Sequence, residues 1–417
     1  MATLYWADAE TARLMVNIAA SLAKSVQSST KIPLFHGQLL GVEPTLDSYD
    51  AVKEAIKRVR EKTDAVAGYP GDYLKDTVDA FEGLVRFLTK EKDYTFKDAQ
   101  RDIMGIDFKP IPEPMFEHFY KKVNDRLTEL GYTGAPGEKI HKWQSDHLIP
   151  DTEVTRVAEQ YLEKSRAAAK ARVVPYLTMD EAVDDVESVR DMPWSGYSSY
   201  TAPYHSKLQF NIDRPWNAPS FANVLTHEGY PGHHVVNCLW EHGFHEGTFP
   251  FEGAYYLDSA PNNALFEGVP EVAVRFIGWD DPSVETPELT AAEKADIILA
   301  KDIMDLQRLY QTTACYMYHV EHKTKDEVVK YMVGTGWYSP IEAENTTRMF
   351  TFPFGAIYYP GYYYGRWLVQ KAYDLVPASH RAELFRLLYT LPQTNRTLID
   401  AVRKFPGCAD FDPFANL

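Results

Sequence analysis

Residues 221–236 read Phe-Ala-Asn-Val-Leu-Thr-His-Glu-Gly-Tyr-Pro-Gly-His-His-Val-Val and hold more chemistry than any other stretch of the chain. His227 and Glu228 close an apolar helical run. In a helical zinc-binding pattern such a histidine takes the ion and the adjacent glutamate activates a water for attack. That pattern puts a second histidine four residues on, where this chain has Pro231, which offers no ligand atom. On an ideal helix His233 lies about 240° round from His227, and His234 about 10.5 Å up the axis, so neither shares an ion with it. Pro231-Gly232 changes that geometry, because proline removes a helical hydrogen bond and glycine accepts the dihedrals that follow. A bulge of two residues brings in His233; a bulge of three brings in His234. His233 is the preferred ligand, with His234 as second choice or as a nearby or substrate contact. Three imidazoles and a carboxylate buried without an ion are costly unless each is paired, which favours a metal site over a bland surface pair.

A catalytic zinc needs a third protein ligand. The segment 262–272 offers Glu267 and Glu271, four residues apart and so on one helix face. In the thermolysin-type plan the first acid of Glu-x-x-x-Asp/Glu binds the ion and the second orients a histidine ligand. Glu267 and Glu271 fit those roles in that order, with Glu271 as second choice for the ligand. Pro270 predicts an interruption between them. His319 and His322 sit three apart on an expected helix but have no carboxylate set beside them, and His242 and His245 read as the C-terminal cap of the motif helix. Tyr204, His205 and Asn211, just upstream, suggest an edge strand able to take an extended peptide. No nucleophile elbow, phosphate loop or dinucleotide fingerprint is present in the sequence.

The elements that must position these residues are mostly helices. Apolar spacings of three to four predict amphipathic helices over about 6–28, 47–67, 71–91, 112–131 and 151–172. Breaks are expected at Gly68–Gly71, at Lys109–Pro112 and from Gly131 to Gly137. Residues 199–212 alternate and are rich in aromatic and β-favouring types, predicting one or two short strands with Pro203 at an edge or break. Helices then resume near 287–320, 324–336 and 340–350, and from Gly361 to about 404. The expected organisation is a helical N-terminal part, 1–175, and a metal-binding catalytic part, 176–417, with a soft boundary and one shared cleft. With 43 Lys+Arg against 59 Asp+Glu the net charge is −16, and no basic stripe is present, which argues against nucleic acid as a partner. No uninterrupted apolar run approaches a membrane span, and the first residues do not read as a signal peptide, so a soluble cytoplasmic protein with no membrane partner is expected. Cys238, Cys315 and Cys408 are too few and too scattered for a disulfide framework or a zinc ribbon.

The His-Glu-x-x-Pro-Gly-His core at 227–233, with the downstream Glu267-Gly268, resembles the bacterial domain of unknown function 885 family. That family in turn resembles zinc metallopeptidases of the thermolysin-like (gluzincin) superfamily. The resemblance spans about residues 170–375, and the last histidine of the family core corresponds to His233. It departs at Val269, where the family usually has Trp. The resemblance implies a thermolysin-like catalytic core set in a mainly α, helical array with a small β element. It also implies a Tyr-x-x-Gly segment after an arginine-bearing helix. Here Arg348 precedes two registers, Tyr358 with Gly361 and Tyr362 with Gly365, and Tyr362 is preferred as the hydroxyl aimed at a developing oxyanion. Arg348 and Arg366 are candidates for forking onto a substrate carboxylate. The expected activity is zinc-dependent hydrolysis of a peptide or related amide, with His227, His233 and Glu267 on the metal and Glu228 as base. Two alternatives stand beside it. One is a lyase, isomerase or iron-dependent oxidative step on a small metabolite, since two histidines and a carboxylate also suit Fe2+. The other is a non-catalytic binding protein on the same fold.

Overall fold

The computed structural model describes residues 2–27, 33–192, 194–201 and 203–415; Ala202, inside the stretch read as strand, lies outside them. Helices α1 (Ala9–Val26), α2 (Tyr49–Thr63), α3 (Gly68–Leu88), α4 (Phe96–Met104), α5 (Glu113–Glu129), α6 (Pro136–Asp146) and α7 (Val154–Arg172) come first. Strand β1 (Phe35–His36) follows α1, and β2 (Leu148–Ile149) precedes α7. Strands β3 (Ala182–Val189), β4 (Gly196–Tyr200), β5 (His205–Asn211) and β6 (Trp216–Asn217) lead into α8 (Ala218–Glu228) and α9 (His233–Glu246). After β7 (Tyr256–Leu257) come α10 (Asn263–Glu271), α11 (Ala273–Phe276), α12 (Ala291–His319), α13 (Lys325–Gly334) and α14 (Pro340–Met349). The chain ends in α15 (Pro353–Tyr358), α16 (Pro360–Leu375), α17 (Arg381–Thr390) and α18 (Asn395–Val402). The protein is mainly helical, as its periodicity predicts.

The differences from the expected elements have local causes. Gly68–Gly71, read as a break, is a helix start, with Pro70 in the first turn of α3, where a missing N–H costs nothing. Helices α4 and α6 are short and were not anticipated; Thr95 and Asp98 cap α4 reciprocally. The helical stretch expected from 361 to about 404 is three helices, with Pro377 and Pro392 in the intervals between them.

The chain forms two compact units. The first comprises residues up to Lys109, Leu239–Gly268 and those from Arg348 onward; the second comprises Pro110–Cys238 and Val269–Thr347. Residue 175 falls inside the second unit, and helices α9 and α10 each run through the division. In the second unit β5 is the central strand of three, parallel to β3 and antiparallel to β4. The edge strand expected from Tyr204, His205 and Asn211 is therefore corrected. Residues 182–189, too polar to read as a strand, pair along its far side, and among the described residues the edges are β3 and β4. Ser206, Leu208 and Phe210 of β5 are fully buried, so one face of this sheet packs on the interior.

In the first unit α10 and α16 meet backbone to backbone. A Cβ at Gly365 would stand 1.7 Å from the Ala264 carbonyl oxygen, and one at Gly268 would stand 2.4 Å from the Gly365 carbonyl carbon. Only glycine permits that approach. Gly365→Ala is expected to destabilise the fold by about 1–3 kcal/mol through overpacking; thermal unfolding measures it, and an unchanged midpoint would contradict the contact.

Candidate metal centre

The motif helix stops and restarts instead of bulging. α8 ends at Glu228, and Gly229 leaves the helical region at φ −106°, ψ −101° while its N–H still bonds the Leu225 carbonyl. The Tyr230–Pro231 peptide is cis, and α9 begins at His233. Between them Gly232 lies flat against the end of α8: a Cβ there would sit 1.8 Å from the His227 carbonyl oxygen and 2.5 Å from that of Thr226. This approach carries the chain back so that the His227 and His233 rings lie 4.8 Å apart, centroid to centroid, at 80°. His233 and Glu228 are both buried, and His227 is largely so.

His234 turns elsewhere. Its Nδ1 lies 2.8 Å from the Ser206 hydroxyl and its Nε2 3.2 Å from Glu181 Oε2, so both ring nitrogens are engaged. Facing a carboxylate, Nε2 carries the proton and Nδ1 accepts from Ser206. Burial pushes the His234 pKa below its ordinary value, against the pull of Glu181. Glu181 is itself a hub: Arg166 and Lys170 reach Oε1 at 2.7 Å, and the Tyr230 hydroxyl donates to Oε2. Burial alone would raise this carboxyl; the hydrogen bonds from His234, Lys170, Tyr230 and Arg166 hold it well below the usual range instead. Glu181 thus grips both Tyr230 and His234, the residues bracketing Pro231 to His233. It was not anticipated, since nothing in Thr178–Ala182 marks it.

The two acids of α10 do share one helix, with Pro270 accommodated in its last turn. Glu271 Oε1 lies 3.4 Å from Nδ1 of His227, and Arg308 of α12 clamps the same carboxylate at 2.6 Å and 3.3 Å. Burial would raise the Glu271 pKa, but the charge of Arg308 and then of His227 lowers it. With Nδ1 of His227 turned to a carboxylate, Nε2 would be the nitrogen to hold an ion. Arg308 was also unforeseen, because its partner lies 37 residues away. One turn earlier on α10, Glu267 accepts at 2.8 Å from the Tyr358 hydroxyl, which is 2.5 Å from that of Tyr362. Since Tyr358 gives its proton to Glu267, Tyr362 donates in the second bond. Burial, reinforced by the charge of Glu267, pushes the Tyr358 pKa well above its ordinary value, so the phenol stays protonated.

His227, His233 and Glu267 each offer one ligand atom, and these atoms lie within 4.8 Å of one another. A tetrahedral zinc with bonds of about 2.0–2.2 Å sets its ligand atoms roughly 3.3–3.6 Å apart, which small side-chain rotations reach from such a spacing. The donor set of two imidazoles and a carboxylate suits zinc, and suits Fe2+ as well. Glu228 follows directly on His227, and its Cγ is 3.4 Å from where a Cβ on Gly196 of β4 would stand. Arg348 is exposed on the last turn of α14 and its side chain forms no hydrogen bond or ion pair among the described residues. Arg366 is buried in α16 and bonds Gln370. His319 ends α12 beside Tyr318, His322 is exposed beyond it, and His242 and His245 fall in the last turns of α9.

No family model and no curated protein matches the sequence. Among solved structures the chain is similar to one described as a "putative lipoprotein" from Colwellia psychrerythraea. The two are 15% identical with a TM-score of 0.59, over 93% of this chain and 74% of that one. A structure from Shewanella oneidensis, described as a "putative lipoprotein of unknown function", is similar at 13% identity and a TM-score of 0.45, over 92% of this chain and 72% of that one. The first likeness shows a shared fold and carries no chemistry. No helix among the described residues is long and apolar enough to cross a membrane.

Titration with zinc, read by calorimetry, should give one site per chain. His227→Ala, His233→Ala and Gly232→Ala should abolish it, whereas His234→Gln should retain the stoichiometry. Glu271→Gln and Arg308→Met should weaken binding about 10–100-fold, as loss of a ligand's supporting partner does. Unchanged binding in His233→Ala would refute the ligand assignment.

Proposed function

We propose that this protein is a metal-dependent hydrolase acting on a peptide or related amide, with His227, His233 and Glu267 holding zinc and Glu228 as general base. The observation that carries the reading is the convergence of those three ligand atoms next to a buried glutamate. The resemblance of the 227–233 core to the domain of unknown function 885 family, and through it to thermolysin-like peptidases, supports the same reading. When bound, zinc supplies Lewis acidity toward the carbonyl and lowers the pKa of water.

The rest is work for the chain's own residues. Glu271, clamped by Arg308, fixes the ring of His227, and Tyr358 fixes the rotation of Glu267 through Oε1. The Glu228 carboxylate takes a proton from the attacking water as its oxygen bonds to the amide carbon. It then returns that proton to the departing nitrogen as the C–N bond breaks. Tyr362 becomes a donor for the developing oxyanion when its hydroxyl turns from Tyr358.

An extended substrate has a surface to pair with. The ladder bonds from Asn211 N–H to the Ser195 carbonyl and from Thr201 N–H to the His205 carbonyl fix the phase of β4. Gly196 and Ser198 therefore turn their backbone N–H and C=O groups away from β5, to a side where no strand pairs with β4 among the described residues. Gly196, the residue beside Glu228, is the first of these. A peptide added along this edge brings its backbone past the general base.

Zinc-loaded protein incubated with a peptide mixture and followed by mass spectrometry tests the proposal. The parent should cleave amide bonds, and Glu228→Gln should bind zinc normally while losing about 10²–10⁴-fold in rate. Equal rates in parent and variant, or products that form only with dioxygen, would reject it.

A further inference from the structure

The open edge of β4 also carries a side-chain preference, an inference that rests on the amide-hydrolase reading and specifies its substrate. The strand alternates two faces. Gly196, Ser198 and Tyr200 share the side of Phe210, Leu208 and Ser206, which are buried, whereas Tyr197 and Ser199 stand with Gln209 and Lys207 on the outer side. The middle of that outer face is polar. Asp185 and Glu187 of β3 lie opposite Lys207 and Gln209, and Glu187 accepts from both of them. The start of the edge strand differs. There Trp194 stacks on Tyr197 with ring centroids 5.4 Å apart and planes at 23°, both rings half-buried, and Met192 is exposed two residues before.

Such placement is the reverse of how edges are usually protected. Open strands are normally blunted with charge or proline, because bare apolar edges invite another strand. Here two aromatic rings mark the end of the edge nearest Glu228, with Gly196 lying between them in sequence. An antiparallel peptide on this edge faces Tyr197 in a non-hydrogen-bonded pair, the closer of the two pairings, so a side chain on its outer side meets the Tyr197 and Trp194 rings directly. Offset or tilted stacking is the preferred contact between such rings.

We propose that Trp194 and Tyr197 form a subsite for an aromatic or large apolar side chain of the peptide substrate, adjacent to the amide that Glu228 addresses. The residues in the subsite bind and select; they take no part in bond making.

The test uses full-length, zinc-loaded Glu228→Gln protein and a set of blocked heptapeptides of alanine and lysine. In each, one phenylalanine occupies a different position, and affinities are read by calorimetry. The best-placed phenylalanine should bind about tenfold tighter than the all-alanine counterpart. Adding Trp194→Ala, or separately Tyr197→Ser, should shrink that ratio to about twofold. Two variants guard against one that fails to fold. Equal affinity at every position, no binding of any peptide, or a ratio that survives both variants overturns the subsite. The same peptides given to the parent protein separate the two readings. Cleavage without phenylalanine preference keeps the hydrolase and overturns the subsite. Selective, Trp194-dependent binding without cleavage keeps the subsite and overturns the hydrolase.

Discussion

A side chain at position 232 has nowhere to go. The backbone there lies so close to the His227 and Thr226 carbonyls that a Cβ would fall inside their van der Waals radii. This single close approach lets α8 end at Glu228 and α9 begin at His233 with the two imidazoles edge to face. A continuous helix through the same residues would carry the second ring away from the first. The glycine therefore acts at one remove, by setting the distance between two imidazoles.

Holding that break in place takes buried charge, and buried charge is costly unless it is matched. Glu181 meets the requirement with Arg166, Lys170, Tyr230 and His234, and in doing so ties down both sides of Pro231-Gly232. Glu271 meets it with Arg308 and His227. Glu267 is held by a phenol whose own proton is kept by burial. The geometry of the candidate ligand atoms is thus set by hydrogen-bonded partners, the arrangement that orders a metal site in advance of an ion on the function proposed here.

What was legible in the sequence follows from range. His227, Glu228 and His233 lie within seven residues, so spacing and the chemistry of Pro-Gly sufficed to single them out. Glu267 and Glu271 could be read from one turn of helix. Glu181, Arg308 and Ser206 could not, because each meets its partner across tens of residues and carries no local pattern. The long amphipathic helices were legible from periodicity, while α4 and α6 were too short to stand out. Strand β3 escaped because Ala-Val-Asp-Asp-Val-Glu-Ser-Val lacks strict alternation, and that omission misplaced β5 at an edge. The two tyrosine registers were indistinguishable by spacing; the structure joins Tyr358 and Tyr362 in one hydrogen-bonded pair beside Glu267.

On the proposed function, His227, His233 and Glu267 together hold one ion. Crystals of the zinc-loaded protein, measured on both sides of the zinc absorption edge, test it most directly. The expected result is one anomalous peak about 2.0–2.2 Å from an imidazole nitrogen of His227, an imidazole nitrogen of His233 and a carboxylate oxygen of Glu267. A peak on His234, or none at these residues in zinc-saturated crystals, would contradict it.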